Sequence, residues 1–228
     1  MIDHVRDLLS VREATDRLLA AVSTLDNAAV TEPSRLPGWS RGHVLAHLAR
    51  NADALVNVLE GRPMYVSADA RDADIARDAP RGLREQVEDV HDTAEGFQRL
   101  GAVDADWSRT VELRNGVTDS ASRVPFRRLA EVELHHVDLG IGYELEDLPA
   151  DFTFREIDFL AERFTGHKDV PSLSLTTDAD RTWTTGGADS GPLVVRGRPA
   201  DLLGWLCGRR EGTALTVDGG LLPALPPL

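Results

Sequence analysis

The sequence predicts an α+β protein: an N-terminal four-helix bundle over residues 1–148, then a smaller C-terminal α+β domain over residues 149–228. Three observations support this. Four segments of the first part carry apolar residues at helical spacing. After Leu148 the texture changes to short β-rich runs around two further helical stretches. Two of the bundle segments also carry histidine and glutamate four residues apart, a pattern that suits a site between facing helices. The length of 228 residues accommodates two modest domains, with the boundary near Pro149.

Residues 2–24 place Val5, Leu8, Leu9, Leu18, Leu19 and Val22 at helical intervals. Residues 31–38 hold two prolines and a glycine and read as a loop. Trp39 precedes Ser40, a good N-cap, and the helix it starts runs to about Glu60, where Gly61 and Pro63 stop it. Residues 66–80 are rich in aspartate and lack an apolar stripe, so they read as a solvated connection with room for a short helix. A third helix covers 82–100, with Leu83, Val87, Val90 and Phe97 on one face. Residues 107–113 read as extended and lead to the turn pair Asn115-Gly116. Pro125 suits the first position of the fourth helix, which ends near Leu139-Gly140. Beyond the boundary, 152–164 reads as a helix, and strands are expected at 172–176, 181–185, 192–195 and 214–217. Residues 198–209 form the last helical pattern, through Leu202, Leu203, Trp205 and Leu206.

Composition narrows the function. Hydrophobic residues make up 42% of the chain, enough for a core, and no apolar run approaches the roughly 20 residues a membrane span needs. The start, MIDHVRDLLS, does not have the form of a signal peptide, so a cytoplasmic location is the default expectation, as is a monomer. A net charge of −13 repels phosphate backbones and anionic lipid, which argues against nucleic-acid and membrane partners. An acidic protein that handles an anionic substrate needs a local cationic patch. The single cysteine, Cys207, excludes an internal disulfide and a cysteine-based metal cage; beside Trp205 and Leu206 it reads as a buried, inert thiol.

The histidines carry the sharpest signal. His43 and His47 are four apart in one helix, and Glu131 and His135 are four apart in another, with His136 alongside. Residues four apart project from one helix face, whereas His136 points about 100° from His135. His47 lies deeper in its helix than His43, flanked by Val44, Leu45, Leu48 and Leu55. The selected set is therefore His47, Glu131 and His135, which suits a divalent transition metal with one position open to water or substrate. Glu133 is expected to point away from that set. His43 has two readings: it orients the site, or it caps and packs near Trp39. The competing view of all these residues is that they are ordinary, partly buried histidines. His4, His91 and His167 lack such partners and read as surface residues.

The string LPGWSRGHVLAHLARNADAL, with EVELHHVDLG and GWLCGRREG further on, resembles the mycothiol-dependent maleylpyruvate isomerases, members of the wider DinB-like superfamily of metal-binding helical bundles. The likeness runs over nearly the whole chain. It implies a DinB-like four-helix bundle followed by a C-terminal domain that closes over the site. Residue by residue, the family's zinc ligands fall on His47, Glu131 and His135. An arginine of the C-terminal domain, implicated in the family's activity, falls on Arg209, with Arg210 as the alternative. Without the resemblance, Arg209 reads as a surface arginine at a helix C-terminus. Cys207 stands where the family more often has a small polar residue.

The implied reaction is cis–trans isomerisation of maleylpyruvate to fumarylpyruvate, a step of gentisate breakdown. A double bond must become temporarily single to rotate, and addition and later expulsion of a thiolate achieve this. The cofactor mycothiol brings the sulfur, which explains why one cysteine is enough. Zinc is implied either to bind and deprotonate that thiol or to polarise a substrate carbonyl. Arg209 would bind a carboxylate of the anionic keto-diacid or stabilise the enolate. The same residues would serve a mycothiol S-transferase acting on other electrophiles, and a non-catalytic metal- or thiol-binding protein is the reading from another class.

Overall fold

The computed structural model describes residues 3–178, 180–187 and 191–227. The chain divides into two compact units, Met1–Tyr143 and Glu144–Leu228. The first is helical, and the second is α+β.

In the first unit, α1 (His4–Val22), α2 (Arg41–Leu59), α4 (Leu83–Gly101) and α5 (Val124–Asp138) form the bundle. Each packs on two others: α1 on α4 and α5, α2 on α4 and α5. Leu18, Leu45, Leu48, Leu55, Phe97, Leu129 and Val132 are buried in its core. On α1 the buried face is Leu8, Val11, Ala14, Leu18 and Val22, while Val5 and Leu9 are exposed. The apolar spacing expected along that helix thus includes two residues on the solvent side. Asp3 caps α1 by accepting from the Arg6 N–H at 3.1 Å, and Ser40 caps α2 by accepting from the His43 N–H. Pro125 stands in the first turn of α5, where its missing N–H costs nothing. A hairpin of β1 (Thr110–Glu112) and β2 (Thr118–Ser120) leads into α5, and its turn puts Asn115 and Gly116 at positive φ.

The segment expected as a solvated connection contains α3 (Ala68–Asp78), an 11-residue helix packed on α2. An apolar stripe does not hold it. Ile75 and Asp78 are its buried residues, and the Asp78 carboxylate is ringed by Arg50, Arg77 and Arg81 at 3.4, 2.8 and 2.7 Å. Gln86 of α4 closes the same corner by donating to the carbonyls of Asp78, Ala79 and Gly42. Charge pairing replaces hydrophobic periodicity here, so this helix leaves no apolar signature in the sequence.

In the second unit, α6 (Ala150–Phe164) precedes a four-stranded sheet of β3 (Leu173–Thr177), β4 (Thr182–Thr185), β5 (Leu193–Gly197) and β6 (Thr216–Asp218) in the order β4-β3-β5-β6. The β3–β5 pair is parallel and the outer pairs are antiparallel. Helix α7 (Pro199–Leu206) is shorter than its sequence pattern suggested. Gly208 takes a left-handed φ of 71°, and the N–H groups of Arg209 and Arg210 both return to the Gly204 carbonyl, so the helix ends before Arg209. Among the described residues no helix is long and apolar enough to cross a membrane.

Gly42 marks the closest approach of α2 to the end of α3, since a Cβ added there would sit 2.1 Å from the Ala79 carbonyl oxygen. Gly42→Ala is expected to destabilise the protein by about 1–3 kcal/mol. Urea unfolding checks this, and an unchanged midpoint would contradict the packing described.

Candidate metal centre

Helices α2 and α5 bring His47, Glu131 and His135 together, with one ligand atom from each lying within 4.8 Å of the others. The two imidazoles cross nearly at right angles, with centroids 4.7 Å apart. The Nε2 atoms of His47 and His135 lie 3.0 and 3.2 Å from the same carboxylate oxygen, Oε2 of Glu131. Tetrahedral ligands at about 2.0–2.1 Å from zinc stand about 3.3 Å apart along an edge, so these separations fit one small cation. The side chains of His47 and His135 are 7% and 11% exposed, whereas Glu131 is 34% exposed, so the accessible edge of the cluster is at the carboxylate.

The surroundings fix both rings. The Nδ1 of His135 hydrogen-bonds the fully buried Asp138 at 2.8 Å, which leaves Nε2 pointing into the cluster. A carboxylate behind a ligating histidine orients the ring and raises its basicity. The edge of Trp39 packs on His47 at 5.6 Å. His43 closes a capping box with Ser40, its Nδ1 accepting from the Ser40 N–H at 3.2 Å, and its ring lies over Trp39. Of the two readings of His43, the capping and packing one matches these contacts.

Burial lowers the pKa of His47 to about 4, against the raising effect of Glu131. Burial also works on Glu131 and His135, but hydrogen bonds win at both. Those from His135 and His47 hold the Glu131 carboxyl well below its usual range, and those to Asp138 and Glu131 raise His135.

Arg128 ties the two helices together. It is fully buried one turn before Glu131, and its Nη1 donates to the Leu48 carbonyl and to Asn51 Oδ1, both at 2.8 Å, one residue and one turn beyond His47. Arg71 of α3 reaches the other side of the site, its Nη2 lying 3.3 Å from His47 Nδ1. Sequence reasoning missed Asp138, Arg128 and Arg71. Asp138 lies three residues after His135 and Arg128 three before Glu131, and the same helical spacing could have found both. Arg71 could not be found that way, because it lies on a separate helix that has no apolar stripe to set its face.

Glu133 faces away from the cluster, toward α1. It is buried, pairs with Arg17 at 2.5 Å and accepts from the Tyr143 hydroxyl at 2.9 Å. His136 is also buried, stacked on Tyr143 at 4.0 Å. His91 is exposed beside Asp92, while His4 and His167 are half-buried; His4 stacks on Trp107 at 4.4 Å, so it is not a simple surface residue.

In the second unit, Arg209 lies just past α7 on the wall of a cavity of about 600 Å³ that also includes Trp205, Leu222 and Leu225. Its Nη1 donates to the Cys207 carbonyl at 2.8 Å. Arg210 is held by Glu146, at 2.9 and 2.7 Å, and by Asp201 at 2.6 Å. Cys207 is buried.

A helical bundle presenting a His/Glu/His cluster between two of its helices, followed by a small α+β unit, defines a recognisable class of two-unit protein. Residues 11–140 match the model of the mycothiol maleylpyruvate isomerase N-terminal domain, and residues 147–227 match that of the MDMPI C-terminal domain. The chain belongs to the mycothiol maleylpyruvate isomerase family. Its fold is similar to crystal structures of the mycothiol-dependent maleylpyruvate isomerase and of a histidine-to-alanine mutant of that enzyme. Both align with a TM-score of 0.89 and 26% identity over 99% of this chain and 97% of theirs. No curated protein matches the chain.

Asp138→Asn removes the charge behind His135 and is expected to weaken zinc binding about 10–100-fold while leaving the helical spectrum unchanged. Competition with a chromophoric chelator measures this. Wild-type affinity in the variant would show that Asp138 does not orient a metal ligand.

Proposed function

We propose that this protein is a mycothiol-dependent maleylpyruvate isomerase, a cytoplasmic monomer that turns maleylpyruvate into fumarylpyruvate with zinc held by His47, Glu131 and His135. The observation that carries the reading is the convergence of these three side chains from α2 and α5, in a chain matched by both family models over nearly all its length. Two imidazoles and a carboxylate are borderline donors suited to zinc, and three protein ligands leave a fourth position for a reactant. When bound, zinc keeps the sulfur of mycothiol as a thiolate, the nucleophile that makes the substrate's double bond temporarily single.

The chain's own residues prepare that chemistry. Asp138 holds the remaining ring proton of His135 on Nδ1, so that Nε2 presents a lone pair. Arg128 sets the spacing of α2 and α5, and with it the distance from His47 to Glu131. Trp39 fixes the plane of His47. Arg209 is assigned the carboxylate or enolate of the substrate, through its planar fork. Arg210 is the poorer candidate, because Glu146 and Asp201 already occupy its guanidinium.

A spectrophotometric assay with maleylpyruvate, with and without mycothiol, tests the reading. The expected result is conversion to fumarylpyruvate that requires mycothiol and stops on chelation. His47→Ala and Glu131→Ala should lose zinc, whereas Arg209→Ala should keep zinc and lose turnover. A stable thiol adduct without isomerisation would replace this reading with an S-transferase. Full zinc occupancy in either ligand variant would refute the ligand set.

A further inference from the structure

Arg71 makes an unusual contact for a residue beside a metal-site histidine. Its guanidinium can only donate, and its Nη2 lies 3.3 Å from His47 Nδ1, while His47 Nε2 faces Glu131 at 3.0 Å. An imidazole that ligates a metal through Nε2 carries its remaining proton on Nδ1. Two donors cannot share a hydrogen bond, and a second cation adjacent to a metal is repelled. Metal ligation by His47 and the Arg71–His47 hydrogen bond are therefore mutually exclusive. The Arg71 side chain is 14% exposed and is anchored by Asp72 at 2.7 Å and by the Tyr65 hydroxyl, so loss of the His47 contact leaves the Nη2 arm of its fork available to another acceptor.

A cavity lies next to Arg71. Tyr65, with its ring 5.9 Å from the Arg71 guanidinium carbon, lines a cavity of about 630 Å³, within the size range of small-molecule sites. Arg62, Arg109 and Arg114 line the same cavity, with Glu112 as its one acidic residue. Arg62 is paired with Glu60, while the Arg109 fork donates to the carbonyls of Leu59 and Asp106 and also feels the Asp106 carboxylate. In a chain of net charge −13 this is the local cationic lining an anionic substrate requires.

We propose that Arg71 is an anion-binding residue of this site, released from His47 by metal ligation and then engaging a carboxylate of a dicarboxylate substrate that enters along the arginine-lined cavity at Tyr65. The inference rests on the isomerase reading for its substrate class.

Calorimetric titration with maleate, a stable cis-dicarboxylate, tests it on the zinc-loaded protein. Arg71→Ala should bind maleate about tenfold more weakly than wild type or worse, and Arg71→Lys should fall between, keeping the charge without the fork. Zinc affinity, measured separately by chelator competition, should be unchanged or tighter in Arg71→Ala; a purely structural role would weaken it. Equal maleate binding in Arg71→Ala and wild type, no maleate binding by zinc-loaded wild type, or loss of zinc affinity in Arg71→Ala would each overturn the proposal. Arg71-dependent maleate binding in a protein that does not isomerise maleylpyruvate would support the proposal and refute the isomerase reading alone.

Discussion

One carboxylate oxygen, Oε2 of Glu131, stands within hydrogen-bond distance of two imidazoles carried by different helices. That meeting requires α2 and α5 to pack at one register and no other. Arg128 enforces the register from inside the core, bridging from α5 to the Leu48 carbonyl and Asn51 of α2. A buried guanidinium is costly, and its Nε and Nη2 have no hydrogen-bond partner among the described residues. Packed leucines could hold two helices together at lower cost, but they would tolerate a small slide. A directional polar bridge does not, and a metal site needs its donors placed to within fractions of an ångström.

The same division between packing and placement runs through the first unit. Leucine, valine and phenylalanine fill the bundle, while charged residues decide the details around the site. Asp138 aims His135, the Ser40–His43 capping box sets the start of α2, and the arginines around Asp78 hold α3 where Arg71 can reach His47. The acidic net charge and the cationic cavity lining are thus compatible: most acidic side chains face solvent, and Arg62, Arg109 and Arg114 line one cavity.

Much of this was legible in the sequence. The i, i+4 relation of Glu131 and His135 and the apolar flank of His47 select the three residues that the structure brings together, because helical periodicity converts directly into a shared face. The bundle helices, the Asn115-Gly116 turn and the four strands of the second unit follow from the same kind of local signal. What local periodicity could not supply is α3, whose stability comes from ion pairs to residues on other helices. Arg71 was hidden with it. The end of α7 was misplaced because the apolar pattern runs on to Cys207 while Gly208 turns the backbone away. Asp138 and Arg128 were overlooked although each lies one turn from a selected residue; their significance depends on what they face, and that comes only from packing.

In the function proposed, two histidines and one glutamate hold a single zinc with one position open to a thiol. X-ray absorption at the zinc edge of the loaded protein, before and after adding mycothiol, measures this directly. Nitrogen and oxygen donors alone are expected at first, then one sulfur at about 2.3 Å once the thiol is present. A zinc shell unchanged by mycothiol, or one already closed by a fourth protein ligand, would contradict it.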